Sequence, residues 1–229
     1  MRPIRRGESP QENYNSYLDA RMDLRDRIGP YCVYCECYFA PSAGFPRVDH
    51  IHPQSRHPER INDWQNLLFA CDSCNGAKKA FDPAQELPVF WPHLDNTWRV
   101  FFYRNGFVMP HPDLEEEEHA QASRTLAMVG LDRFDPSNPP KPGGNPAEIL
   151  TARLDAWNLA ARMKTKYDKA DHPEQLANDI LELAKKTGHW SYWMTLFQKC
   201  DPIRERLMST AHFPGTRREC LEPGPLTQG

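Results

Sequence analysis

Hydrophobic positions along this chain fall into short blocks separated by proline and glycine. The first block, Ser16 to Arg27, predicts a helix with Tyr17, Met22 and Leu24 among its buried positions, ended by Gly29-Pro30. Between Tyr31 and about Phe81 the spacing is irregular and only short elements are expected: Arg47 to Ile51 reads as a strand, and Asn75 stands at the start of a short helix. After a proline-spaced connector, Trp98 to Tyr103 reads as a second strand. Asn105-Gly106 then turns the chain into Phe107-Val108-Met109, because both residues accept the positive φ of a tight hairpin.

Helical patterns dominate the remainder. One helix is expected from about Glu116 to Val129 with Gly130 at its C-terminal cap, its acidic first turn complementing the helix dipole. Pro136 to Pro146 carries five prolines and two glycines and reads as a linker. Asn145-Pro146 then opens a long helix to about Lys169, followed by helices at Pro173 to Lys186, Trp190 to Lys199 and Pro202 to Ala211. The aromatic run Trp190 to Phe197 reads as helix core. No repeat is visible. The expected class is α+β, divided into an N-terminal arm and helix (1–30), a metal-stapled core (31–82), a connector with hairpin and helix (83–135) and a helical C-terminal region (146–220).

Composition narrows the function. At 229 residues, 26% of them charged, the chain can bury one core plus a small stapled unit, and its apolar runs are too short to span a membrane. The basic start (Arg2, Arg5, Arg6) leads into Gly7-Glu8-Ser9-Pro10 where a secretory signal would be apolar. Seven cysteines with no signal favour a reducing, cytoplasmic setting and metal binding over disulfides. A net charge of −3 offers no strong basic groove for nucleic acid, leaving room for a partner to supply one.

Two pairs, Cys32-x-x-Cys35 and Cys71-x-x-Cys74, can present four thiolates to one structural Zn²⁺, with Cys37 as the alternative to Cys35. Such a closed site leaves no position for chemistry. Between the pairs lie Asp49 and His50, which can converge on one substrate if the strand ends there, as Pro53 encourages. His50 suits a general base. Asp49 and the amide oxygen of Asn75 form a sparse oxygen site for catalytic Mg²⁺ or Mn²⁺. Asn66 braces the loop carrying His50, and Lys78 or Lys79 could contact a phosphate. His52 and His57 could touch phosphate or metal, with surface histidines as the plainer reading, and the other histidines show no ligand spacing.

These residues resemble the HNH (ββα-metal) endonuclease superfamily, in the variant whose third position is asparagine. The match rests on Cys32-x-x-Cys35, Asp49-His50-Ile51-x-Pro53, Asn66 and Cys71-x-x-Cys74-Asn75-x-x-Lys78. It implies a β-hairpin carrying Asp49 and a helix after Cys74, with His50 as base, Asp49 and Asn75 as metal ligands, and Asn66 as brace. Met1-Arg2-Pro3-Ile4, Tyr31 to Glu36, Gly188 to Met194 and Phe213-Pro214-Gly215-Thr216 are further similar to PtuB-type nuclease subunits of bacterial Septu and retron antiphage systems. That resemblance implies a partner ATPase of the ABC/SMC-like class (PtuA-type). The helices beyond Pro146 are expected to carry the partner interface, and the leading reading of the substrate is DNA. A ribonuclease using the same site, or a catalytically silent zinc module that binds nucleic acid or scaffolds the ATPase, are the alternatives.

Overall fold

The computed structural model describes residues 1–40, 46–134 and 146–221. Helix α1 (Ala20–Ile28) begins four residues later than the sequence pattern predicts, because Ser16 to Asp19 form a separate turn. Leu24 is buried as expected, but Met22 is 49% exposed. The helix stops at Gly29, whose φ of +80° needs a residue without Cβ.

Strands β1 (Arg47–His50) and β2 (Leu67–Ala70) pair antiparallel, with Asp49 opposite Leu68 and His50 opposite Leu67. All four residues of β2 are buried, which its unbroken apolar run requires. Helix α2 (Asp72–Lys78) follows directly and completes a strand–strand–helix unit. Cys71 is its N-cap: the sulfur accepts a hydrogen bond from the Cys74 amide at 3.4 Å.

Residues 97–100 depart from the expected strand and make one helical turn, α3 (Thr97–Val100). Asn96 decides this, because its side chain accepts from the Arg99 amide and caps the turn against the β-propensity of the aromatic run. Strands β3 (Phe101–Arg104) and β4 (Phe107–Pro110) then form the hairpin, with Asn105 and Gly106 both at positive φ. Helix α4 (Glu116–Met128) closes this half, and Gly130 follows it at φ +67°. The expected linker at 136–146 lies almost wholly outside the described residues.

Helices α5 (Pro146–Lys169), α6 (Pro173–Thr187), α7 (Trp190–Phe197) and α8 (Asp201–Met208) pack on one another, the last two ending two or three residues sooner than predicted. Trp190, Tyr192, Trp193, Met194 and Phe197 are all buried, so the aromatic run is core. No helix among the described residues is long and apolar enough to cross a membrane.

Two sets of contacts tie this helical region to the zinc-pair segment. Glu36, one residue after Cys35, is held at φ +64°; its carboxylate accepts from the Ser191 amide (2.8 Å) and hydroxyl (2.6 Å) at the start of α7. Its carbonyl accepts from the His189 amide at 2.8 Å. The N-terminal arm supplies the second set: the Arg5 amide donates to the Gly215 carbonyl, and the Arg217 amide to the Pro3 carbonyl. Arg2 and Arg6 of the basic start are buried. Arg2 donates to the carbonyls of Ile28, Phe213 and Pro214, and Arg6 to those of Trp64, Gln65 and Leu67. A buried guanidinium is tolerated here because its N–H groups meet backbone acceptors.

Candidate active site and metal centre

The four cysteines of the two pairs converge, with all sulfurs within 4.8 Å of one another. Cys35 and Cys71 sulfurs stand 3.7 Å apart, close to the roughly 3.8 Å edge of a tetrahedron built on Zn–S bonds of about 2.3 Å. The donor set and its spacing therefore fit a zinc ion. Cys37, the alternative ligand, is not one of the converging four. Its backbone instead closes the knuckle, accepting from the Cys32 amide at 3.0 Å. A further bond from the Val33 amide to the Phe69 carbonyl fixes the knuckle to β2.

Beside this centre is an open cleft of about 720 Å³, lined among others by Tyr17, Arg21, Asp49, His50, Gln54, Asn75 and Lys79. Neighbouring residues of a regular strand face opposite ways. Asp49 and His50 nevertheless both reach the cleft, because β1 ends at His50 and the chain bends at Ile51-His52. Asn75 comes to the same cleft from the middle of α2.

The His50 ring is fixed on three sides. Nε2 lies 2.8 Å from the Ile61 carbonyl, Nδ1 lies 3.0 Å from the Gln54 amide nitrogen, and Tyr17 packs edge-on at 4.9 Å between centroids. A carbonyl can only accept, so Nε2 carries the proton and Nδ1 is the basic nitrogen. Burial lowers the pKa of His50 from its ordinary value of 6.5, outweighing the hydrogen bond to Ile61 that acts the other way. The ring is therefore neutral, and able to accept a proton, at neutral pH.

Asp49 is buried, and both its oxygens have partners. Oδ2 accepts from the Tyr34 hydroxyl at 2.5 Å, and Oδ1 lies 3.1 Å from Lys78 Nζ. A carboxylate offers about four acceptor positions, so two bonds do not exhaust it. Lys78 does not reach outward to a phosphate. Its position on α2 directs it inward, where Nζ also meets the His50 carbonyl at 2.6 Å, and only Lys79 is exposed at the cleft. This inward turn is invisible in the chain's local pattern, because a pair 29 residues apart has no local signature.

Asn66 is fully buried at the end of a short helical turn (Trp64–Asn66). Its Oδ1 accepts from the His52 amide at 2.7 Å, and its Nδ2 donates to the carbonyls of His52 and Arg60 at 3.1 and 3.0 Å. These bonds pin both ends of the loop that returns from β1. Arg6 fixes the carbonyls around the same turn.

His52 and His57 are not plain surface histidines. Both are about one-quarter exposed and they meet Asp82, whose side chain is fully buried just beyond α2. Sequence spacing did not single out Asp82. Among the described residues, no other histidine joins a group with metal-ligand spacing.

Residues 32–81 match the HNH endonuclease family model. The chain is also similar to the Septu protein PtuB of Bacillus thuringiensis, at 38% identity over 86 residues. That match covers 36% of this chain and 33% of the relative, so it spans about a third of the curated protein's length. The segment 32–81 is accordingly an HNH endonuclease domain, and its four-cysteine cluster and strand–strand–helix unit lie within the matched residues.

Proposed function

We propose that this chain is a metal-dependent endonuclease that hydrolyses phosphodiester bonds, most directly in DNA, as the nuclease subunit of a PtuB-like defence complex with an ATPase. The observation that carries the reading is the neutral His50 ring, its Nε2 proton held by the Ile61 carbonyl, beside Asp49 and Asn75 in one cleft. In this role Nδ1 of His50 takes a proton from the attacking water as Gln54 yields its contact, and the Ile61 carbonyl steadies the charge left on the ring. Asp49 and the Asn75 amide would hold Mg²⁺ or Mn²⁺, which when bound polarises the scissile phosphate and stabilises the leaving oxygen. Arg21 and Lys79 bring positive charge to the cleft for the nucleic-acid backbone, while Arg47 there is paired with Asp72 at 2.5 Å. The four-cysteine zinc holds the fold and takes no part in the reaction.

The test is to present plasmid, single-stranded DNA and tRNA, with Mg²⁺ or Mn²⁺, to the chain alone and to the chain co-expressed with its ATPase. Cleavage of DNA that His50→Ala abolishes supports the assignment. Equal cutting by that variant removes it, and cleavage of tRNA alone moves the substrate to RNA. The partner rests on the similarity to PtuB and on the absence of a strong net positive charge. Docking on the helices from Pro146 onward is best probed by charge reversals on their exposed faces. Truncation would also remove Ser191 from Glu36, one residue from the zinc centre.

A further inference from the structure

Asp82 lies just after α2 with its carboxylate shielded from solvent. His57 Nε2 is 2.9 Å from Oδ2, His52 Nδ1 is 3.4 Å from Oδ1, and the two imidazole rings stand 5.0 Å apart in an edge-on pair. All three residues place a donor atom within 4.8 Å of the others. A simple ion pair explains His57, which makes a good hydrogen bond to the carboxylate. It does not account for His52: its buried Nδ1 lies 3.4 Å from the carboxylate, yet makes no hydrogen bond to it or to any other group. Leaving a buried polar atom unpaired costs about 1–3 kcal/mol, so such an atom within a cluster of metal-ligating groups calls for a ligand.

We propose that His52, His57 and Asp82 hold a second zinc ion, separate from the four-cysteine centre, in a three-ligand site whose fourth position is taken by water. The 3.4 Å separation of His52 Nδ1 from the carboxylate matches the edge, about 3.3 Å, of a tetrahedron with Zn–N and Zn–O bonds near 2.0–2.1 Å. Two imidazoles with one carboxylate are a zinc donor set, whereas Mg²⁺ seeks oxygen ligands throughout. The outer nitrogen of His57 lies 3.5 Å from Glu59, which places a carboxylate where the second ring N–H of a metal-bound histidine commonly donates. The opposing charge is Arg56, 3.9 Å from Asp82, but its guanidinium is tied to Gln85 at 2.8 Å and is 40% exposed to solvent. An ion here fastens the loop after β1 to the exit of α2. His52 follows His50 by two residues, and α2 carries Asn75, so the clasp fixes the two sides of the cleft relative to each other.

The experiment counts metal rather than cleavage, so it stands or falls independently of the nuclease reading. Full-length wild type and His52→Ala, His57→Gln and Asp82→Asn are loaded with Zn²⁺, freed of excess, and measured by elemental analysis. Wild type should carry one zinc more per chain than each variant. Loading with Co²⁺ supplies the folding control, since thiolate-to-cobalt absorption from the cysteine centre should persist in every variant while a weaker band is lost. Should buried Asp82→Asn lose the thiolate signal, the partly exposed His52→Ala and His57→Gln carry the comparison. Equal zinc content in wild type and in the variants that keep the thiolate signal overturns the proposal.

Discussion

The Lys78 ammonium lies 3.1 Å from Oδ1 of Asp49, and the two side chains are 1% and 3% exposed. This pair joins α2 to β1 beneath the cleft, and the 2.6 Å contact to the His50 carbonyl extends it to the end of the strand. Desolvation offsets much of the attraction in such a pair, but removing one partner strands a buried charge.

Lys78→Met should therefore destabilise the chain by about 3–5 kcal/mol, the cost of leaving a buried carboxylate unpaired. Adding Asp49→Asn to that variant should recover much of the loss in urea denaturation without restoring cleavage. A double variant no more stable than Lys78→Met would show that the cost lies in the His50 carbonyl contact instead.

Asn66→Asp keeps the acceptor for the His52 amide but turns an anionic oxygen toward the carbonyls of His52 and Arg60. A loss of about 2–4 kcal/mol is expected, because two acceptors lose their donor and a charge is buried without a partner. Thermal melts measure it. Asn66→Ala should cost less, and a neutral Asn66→Asp would dismiss the brace.

Removing the metal from the cysteine centre should lower the melting temperature by more than about 10 °C, since each kcal/mol is worth roughly 2–4 °C in a chain of this size. Differential scanning before and after chelation, and on Cys71→Ser, reads this out. The loss should extend to α7, because Glu36 ties its first turn to the knuckle. Unchanged exchange of the Ser191 amide after chelation would contradict that coupling.

His93 supplies a pH test at a residue that belongs to neither metal-ligand set. Burial first, then the positive charges of Arg6 and Arg217, push its pKa from 6.5 down to about 3. Between those values the unfolded chain binds a proton that the folded chain refuses, so stability falls as pH falls below 6.5 and this contribution levels off near pH 3. Going from pH 8 to 5.5, wild type should lose about 1.4 kcal/mol more than His93→Phe, one pKa unit being worth about 1.4 kcal/mol. Parallel urea titrations of the two proteins would refute the assignment.

Local signals carried the sequence reading as far as local physics reaches. Proline at the head of α5 and α6, the Asn105-Gly106 turn and the cysteine pairs all act within a few residues, and each was legible. The strand predicted over 98–100 failed because a single capping residue, Asn96, outweighed an aromatic run. The buried contacts of Lys78, Arg6 and Asp82 escaped notice for a different reason. Their partners lie 25 to 61 residues away, and only chain closure brings them together. Asp49 and His50 could be named from the sequence, whereas the hydrogen bonds that orient them could not.

The buried arginine at position 6 and the Glu36 bridge to Ser191 bear on protein engineering. A nuclease cassette cut at residues 32 and 81 for grafting onto another carrier would leave behind the guanidinium that gathers the carbonyls of Trp64, Gln65 and Leu67. It would also expose a carboxylate whose donors sit more than 150 residues downstream. A transplantable version must bring its own substitutes for both, and the boundary of the folded HNH unit is drawn by these contacts rather than by the segment 32–81 that matches the family.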